Sequence, residues 1–211
     1  MAYGSDSKAS KTRSTAIWLG LFFVAALALR VSFGIGTGHD DASGREIERF
    51  DFPRERKPDG LCLPDFVRPV GGEPDYVCFF VVSTGEGIRA RSEELKQKGE
   101  YVRSHTLQAL AIETAEAYAE KLHRDLRTAW GFPDPPGLSM TDRFKAKYQG
   151  VRVSFGYPAC PELADQEKLF KLLQPEEIGV RLTEGHMMDP EASVSALVFH
   201  HSQADYFNVG E

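Results

Sequence analysis

Apolar positions recur every three or four residues through the middle of the chain. This is the period of an α-helix with one buried face, and it predicts one long amphipathic helix over about residues 100–130. The segment FPDPPG at 132–137 ends the helix, because proline lacks the N–H that a helix requires. The positions that carry the period are Leu107, Leu110, Ala111, Thr114, Ala115, Tyr118, Leu122 and Leu126.

Strands are predicted on both sides of this helix. The segment DYVCFFVV at 75–82 is dense in β-branched and aromatic residues, which is typical of a buried strand. The segment GVRVSF at 150–155 alternates, so that Arg152 and Ser154 lie on one face and the valines on the other. Shorter patterns predict strands at 180–183 and 193–201 and helices at 163–173 and 174–179. The predicted fold class is therefore α+β.

The first 39 residues differ from the rest. An uncharged apolar run, TAIWLGLFFVAALAL at 15–29, follows a polar start that contains Lys8, Lys11 and Arg13. Three interpretations stay open: a secretory signal or membrane anchor, a buried core helix, or a start that is not a natural domain boundary. The turn-rich segment GTGHDDASG predicts a boundary between residues 1–39 and residues 40–211.

Composition and charge narrow the class of protein. The chain has 211 residues and a formal charge of −6, from 25 basic and 31 acidic side chains, so it is not expected to bind nucleic acid, which needs an electropositive face. With 42% hydrophobic residues it has enough apolar material for a folded core. Three cysteines without a CxxC pair argue against a disulfide framework or a structural zinc site. These features predict a folded, cytoplasmic domain.

Few residues suggest catalysis or metal binding. The sequence contains no GxSxG, GxGxxG or GxxxxGK[ST] motif. His200 and His201 would point to opposite faces of a strand, so they could not share one metal ion. No catalytic and no metal-binding residue is predicted. Three carboxylates of the long helix, taken alone, are expected to form a solvated face: Glu113, Glu116 and Glu120. On that face Glu120 would pair with Arg124, four residues later.

One group of residues suits a small ligand. Arg152 leaves a predicted strand and precedes the turn GYPACP at 156–161, where Gly156 allows close approach to the backbone and Tyr157 offers a flat ring. A guanidinium can bind a carboxylate through two parallel hydrogen bonds. Free N–H and C=O groups of the turn could bind a heterocycle, and tyrosine can face a cation. The alternative is a rigid, proline-fixed turn whose arginine forms an ordinary salt bridge.

The same segment carries a family resemblance. The sequences RVSFGYPACPELADQEKLFKLL and IGVRLTEGHMMDPEASVSALVFHHSQADYFNVG resemble the C-terminal activation domain of cobalamin-dependent methionine synthase, as do FDFPRERK, LCLPDFVRP and TAEAYAEKLH upstream. The resemblance covers about residues 40–211, and its motif R-x-x-x-G-Y-P-A-C-P is highly specific. It implies a twisted antiparallel β-sheet flanked by helices, with a shallow groove for S-adenosylmethionine.

The resemblance also implies a role in methionine biosynthesis. Such a domain helps to convert cob(II)alamin to methylcobalamin, with the methyl group of S-adenosylmethionine and an electron from flavodoxin or a similar reductase. The cobalamin is held by a partner module of methionine synthase and not by this chain. Arg152 would hold the ligand's carboxylate and Glu116 its amino group. The other implied contacts are the backbone around Val153, Gly156, Tyr157 and Ala159 with the adenosine, and the closing pair Tyr206 and Phe207.

Departures from the family leave two hypotheses open. The N-terminal part does not match, so an aspartate that also contacts the ligand in the family is missing, and the folate, homocysteine and cobalamin modules are not present in this sequence. The first hypothesis is a reactivation module, part of an enzyme but not catalytically complete alone, that acts on a cobalamin protein in the cytoplasm. The second is a folded, non-catalytic remnant, anchored to a membrane through residues 15–36.

Overall fold

A four-stranded antiparallel sheet lies at the centre of the structure, a computed structural model that describes residues 46–69, 73 and 75–210 and the backbone of the strands at 23–30 and 38–39. The strands are β1 (Phe23–Arg30), β2 (Gly38–His39), β3 (Glu46–Glu48), β4 (Tyr76–Ser83), β5 (Val151–Val153), β6 (Arg181–Leu182), β7 (Met188–Asp189) and β8 (Ser193–Phe199). The central sheet has the order β1-β4-β8-β5, while β2 pairs with β3 and β6 with β7.

Helices connect β3 to β4, β4 to β5 and β5 to β6. The α-helices are α1 (Gly87–Gln97), α2 (Tyr101–Ala129), α3 (Met140–Phe144) and α4 (Gln166–Leu173). Three short 3-10 helices are found at Leu63–Phe66, Leu163–Asp165 and Pro175–Ile178. The predicted α+β class, the antiparallel sheet and the long helix are confirmed, and α2 begins and ends within one residue of the prediction.

Strands β4 and β8 separate two hydrophobic cores, because successive side chains of a strand point to opposite faces. On one face Phe80 packs beneath α2, where Ala115 and Ala119 allow the helix to lie close to the sheet. On the other face Phe79 belongs to a larger core that includes Leu169 of α4. Every residue of β8 is buried. Helix α2 thus covers one face of the sheet. The sides of the helix that do not contact the sheet are available to line a site.

The segment at residues 23–30 forms strand β1 and not a helix. Each of its eight residues pairs with a residue of β4. The predictions of a core helix or a membrane anchor are therefore wrong for this part of the segment 15–36, because pairing with β4 requires an extended backbone. The other residues of that segment lie outside the described part of the chain. Among the described residues, none of the helices has the length and apolarity needed to cross a membrane.

Two local features differ from the sequence prediction. Helix α1 was not predicted, because it lacks a broad apolar stripe: its buried side chains are those of Ser92 and Leu95. Leu110 was assigned to the buried face of the long helix, but it is 62% exposed. The buried positions of α2 are mostly small or polar: Ser104, Ala111, Ala115, Ala119, His123 and Arg127.

Candidate functional site

Strand β5 directs Arg152 towards helix α2. Val151 and Val153 of the same strand are buried, so the alternation of a strand places Arg152 on the opposite face, as the sequence predicted. Its guanidinium Nη2 lies 3.4 Å from Oε2 of Glu116. Its backbone N–H donates a hydrogen bond to the hydroxyl of Tyr206 at 3.3 Å. The structure therefore brings together three of the residues predicted from the sequence, Arg152, Glu116 and Tyr206.

Two clefts adjoin at Glu116. The first, here called the arginine cleft, has a volume of about 820 Å³ and lies between α2 and α3. The second, here called the turn cleft, has a volume of about 290 Å³ and lies beside the GYPACP turn. Volumes of this order are usual for small-molecule sites. The lining residues used below are Glu116, Glu120, Tyr148, Arg152 and Tyr206 in the arginine cleft, and Glu116, Gly156, Tyr157, Gln166 and Ser195 in the turn cleft.

The GYPACP turn is closed by its own hydrogen bonds. The N–H of Gly156 donates to the carbonyl of Cys160, and the N–H of Cys160 donates to the carbonyl of Tyr157, both at 2.9 Å. Gly156 has a φ of +84°, which favours glycine. The N–H of Tyr157 donates to Ser154 at 3.3 Å. The prediction that the turn offers free N–H groups to a ligand is therefore wrong for Gly156 and Tyr157, although the side chain of Tyr157 borders the turn cleft.

A chain of hydrogen bonds fixes the floor of the turn cleft. The hydroxyl of Ser154 donates to the carbonyl of Ser195 at 2.6 Å, and the hydroxyl of Ser195 donates to Oε1 of Gln166 at 2.8 Å. The side-chain N–H of Gln166 then donates to the carbonyl of His186 at 2.7 Å. Because Gln166 and Ser195 are buried, this network gives the cleft a rigid polar floor.

A buried positive charge lies behind Tyr148. Arg127 of α2 is 1% exposed, and its Nε donates to Oδ1 of Asp134 at 2.7 Å. Its guanidinium carbon lies 3.7 Å from the centre of the Tyr148 ring, which is a cation–π contact. Burial raises the pKa of Asp134, but the hydrogen bond and charge of Arg127 outweigh burial, so that the pKa is lowered overall. Arg127 and Asp134 therefore form an ionised pair.

Tyr148 lines the arginine cleft with a neutral ring, and the neutral ring of His123 lies behind it. His123 is fully buried, and its ring meets the Tyr148 ring edge-on at 5.3 Å between centroids. Burial, with the charges of Arg127 and Arg152, lowers the pKa of His123 to about 2. Burial also raises the pKa of Tyr148. Both rings are therefore uncharged at neutral pH.

Glu120 lies on the arginine cleft, one helical turn after Glu116. It was expected to be solvated and paired with Arg124, but it is half-buried, and Nη2 of Arg127 lies 3.6 Å from its Oε1. That prediction is wrong because α2 turns this side chain towards the cleft. Burial raises the pKa of Glu120, and the charges of Arg127 and Arg152 oppose this rise. The four-residue spacing from Glu116, which places both carboxylates on one helix face, was the signal that could have identified Glu120.

Three other predicted binding residues have side chains in the core. Val153 and Ala159 are buried. Phe207 packs edge-on against Phe66, with 6.1 Å between ring centroids. None of these three lines either cleft, so Val153 and Ala159 could meet a ligand only through their backbone.

His200 and the buried cysteines are held in structural contacts. Within the described residues, no group of three or more His, Cys, Asp or Glu side chains could hold a metal ion. Nε2 of His200 lies 2.7 Å from Oδ1 of Asp75, and this histidine follows β8 instead of belonging to it. Burial raises the pKa of the Cys78 and Cys160 thiols to about 12, so both are protonated at neutral pH.

The fold and the clefts together define a class of protein, an α+β domain with two adjoining clefts at a pair of opposite charges. Comparison with known proteins specifies this class. The sequence profile of the family "Vitamin B12 dependent methionine synthase, activation domain" matches residues 38–211. This chain therefore belongs to that family, as the sequence resemblance indicated.

Individual relatives agree with this assignment. The chain is 37% identical over 172 residues to the methionine synthases of Mycobacterium tuberculosis (strain ATCC 25618 / H37Rv) and Mycobacterium leprae (strain TN); each match covers 76% of this chain and 14% of the relative. The chain thus spans about a seventh of the length of these relatives. A crystal structure of the MetH reactivation domain bound to AdoHcy superposes with a TM-score of 0.80 at 30% identity, over 89% of this chain and 61% of that one.

Proposed function

We propose that this chain binds S-adenosylmethionine in the arginine and turn clefts and serves the reactivation of cobalamin-dependent methionine synthase. The observation that carries this proposal is the position of Arg152 and Glu116, 3.4 Å apart at the junction of the two clefts. A guanidinium and a carboxylate at this separation match the two charged groups of an amino acid. The similar reactivation domain, whose crystal structure contains AdoHcy, supports a ligand of this kind.

Each predicted residue has a role in this proposal. Arg152 binds the carboxylate of the ligand and Glu116 receives its ammonium group. The ring of Tyr157, which is 61% exposed, lies beside the turn cleft, where it can pack against the adenosine. Tyr206 holds the backbone of Arg152 and closes the arginine cleft. Val153, Gly156 and Ala159 contribute only through their backbone, and Phe207 supports Tyr206 from the core.

The protein's contribution to reactivation is positioning. The cobalamin, which a partner module of methionine synthase would hold, would supply the acceptor for the methyl group of S-adenosylmethionine once flavodoxin or a similar reductase has given it one electron, and S-adenosylhomocysteine would be released. This chain fixes the methyl donor by its amino-acid end, so that the sulfonium is presented at the open side of the clefts. Orientation of the reactants is the contribution that such a scaffold makes to the rate.

Isothermal titration of the full chain with S-adenosylhomocysteine tests the binding step. We expect saturable binding that Arg152→Ala weakens at least about tenfold, which corresponds to about 1.4 kcal/mol. Arg103→Ala is the matched control, because Arg103 is 73% exposed on α2 and lines neither cleft. Absence of binding by the folded wild-type chain, or equal losses in the two variants, would contradict the proposal.

A second experiment tests the reaction. The chain is added to a methionine synthase that lacks its own activation domain and holds cob(II)alamin, together with a reductase and S-adenosylmethionine carrying a labelled methyl group. We expect the label to appear in methylcobalamin with the wild-type chain and not with Arg152→Ala. Binding without transfer of the label would leave a ligand-binding module and exclude the reactivation role.

A further inference from the structure

Glu120 is a carboxylate of the arginine cleft that the described part of the protein leaves short of hydrogen-bond donors. Its Oε1 is buried without a hydrogen-bond partner among the described residues. The nearby cation is Arg127, whose Nη2 lies 3.6 Å away, beyond the usual hydrogen-bond distance. Arg127 is drawn instead to Asp134, to which its Nε donates at 2.7 Å. Arg127 therefore provides a positive charge near Glu120 but not a hydrogen bond.

The carboxylate of Glu116, in the same cleft, already has a partner. Glu116, one turn earlier on α2, contacts Nη2 of Arg152 through its Oε2. Glu120 keeps 28% of its side chain exposed on the wall of the same cleft. Four acidic residues line this cleft, Glu113, Glu116, Glu120 and Asp205, and among them Glu120 has a buried carboxylate oxygen without a hydrogen-bond partner in the described part of the chain.

We infer that Glu120 is a specificity-determining residue that binds the α-ammonium group of the ligand together with Glu116. This inference rests on the proposed function, and it deepens it by adding a second ammonium contact, one helical turn beyond Glu116. When the ligand's carboxylate binds Arg152, it competes with Glu116 for the same guanidinium. The ammonium group then supplies Glu120 with the donors that Arg127 does not give. Arg127 acts as a positioning residue, since its buried charge attracts the Glu120 carboxylate and favours its ionised form.

Two ligands that differ only in the α-ammonium group distinguish binding of that group from a structural role of Glu120. S-adenosylhomocysteine carries the α-ammonium group, whereas its des-amino analogue has hydrogen at that position and is otherwise the same. A residue that binds the ammonium group affects only the first ligand. A residue that shapes the cleft affects both. The ratio of the two affinities is also independent of the fraction of the variant that is folded.

The experiment is isothermal titration of the full chain and its variants with both ligands. We expect Glu120→Gln to weaken binding of S-adenosylhomocysteine at least tenfold and binding of the des-amino analogue less than twofold. Glu93→Gln is the control, because it makes the same substitution on α1 at a side chain that is 57% exposed, and neither Glu93 nor its partner Lys96 lines either cleft. It should leave both affinities within twofold of the wild type.

The inference is overturned if Glu120→Gln weakens both ligands equally, if it weakens neither, or if Glu93→Gln has the same effect as Glu120→Gln. These outcomes are distinct from failure of the proposed function. If the wild-type chain does not bind S-adenosylhomocysteine, the proposed function fails as well. If the wild type binds and Arg152→Ala weakens binding, but Glu120→Gln does not, only the assignment of Glu120 fails.

Discussion

Replacement of Asp134 by asparagine should destabilise the fold, because it leaves the buried guanidinium of Arg127 without its main counter-charge. Arg127 is 1% exposed, and the side chain of Asp134 is 9% exposed. Two unit charges about 4 Å apart attract by about 4 kcal/mol at an effective dielectric constant of about 20. Breaking a buried pair costs about 3–5 kcal/mol. Glu120 and the Tyr148 ring remain near Arg127 and offset part of this loss, so we expect about 3 kcal/mol.

Urea unfolding followed by circular dichroism measures this difference in the free energy of unfolding. For a domain of this size, a loss of about 3 kcal/mol corresponds to a fall of roughly 6–12 °C in melting temperature. Asp125→Asn is the matched control, because Asp125 pairs with Lys121 and Arg124 on the exposed side of α2. An exposed pair contributes at most about 1 kcal/mol. If the two variants differ by less than about 1 kcal/mol, the account of a buried, ionised pair is wrong.

The pH dependence gives an independent check of the same pair. The pKa of Asp134 is lowered in the folded protein, so its contribution to stability is present above the unfolded pKa of about 4 and is lost as the pH falls through the folded value. The wild type should therefore lose its advantage over Asp134→Asn progressively as the pH is lowered from about 4 towards the lowered pKa of the folded state. A constant difference over this range would refute the assignment of an ionised Asp134.

Two further predictions concern the scaffold. Gly150→Ala should lower the free energy of unfolding by more than about 2 kcal/mol, because Gly150 has a φ of +84° and an added Cβ would lie 2.5 Å from the carbonyl oxygen of Phe199. Gly137→Ala is the control, since Gly137 has a φ of +80° but open space around it. It should lower the free energy of unfolding by only about 1 kcal/mol in the same urea titration. Burial raises the pKa of the Cys78 and Cys160 thiols to about 12. A thiol reagent at pH 8 should therefore modify neither cysteine in the native chain and both after unfolding. Rapid modification of these cysteines in the native chain would contradict this prediction.

The elements with strong periodicity could be predicted from the sequence. Helix α2 has a long run of three- and four-residue spacings, and β4 and β8 are rich in β-branched residues that pack against both cores. Helix α1 lacks such a pattern, since it buries little apolar surface. The run that contains β1 is continuously apolar, and periodicity alone does not distinguish a strand from a helix in such a run.

The site could be predicted only in part. Alternation along β5 placed Arg152 on the right face, and the family resemblance paired it with Glu116. The burial of Glu120 could not be predicted from the sequence, because it depends on the segment that follows α2. Asp134 and Tyr148 of that segment pack against Arg127, and Arg127 lies beside Glu120. The closed hydrogen bonds of the GYPACP turn were also not evident, since composition indicates a turn but not how its N–H groups are used.

The shared position of Glu116, on the wall of both clefts, limits what its replacement can reveal. A change there alters the surroundings of the nucleoside end and of the amino-acid end of one bound molecule at the same time. Tyr157 and Tyr206 each border a single cleft, so variants at these two tyrosines report on one end of the molecule each. Fragments such as adenosine alone or homocysteine alone, titrated against these two variants, would therefore map the direction in which the ligand lies.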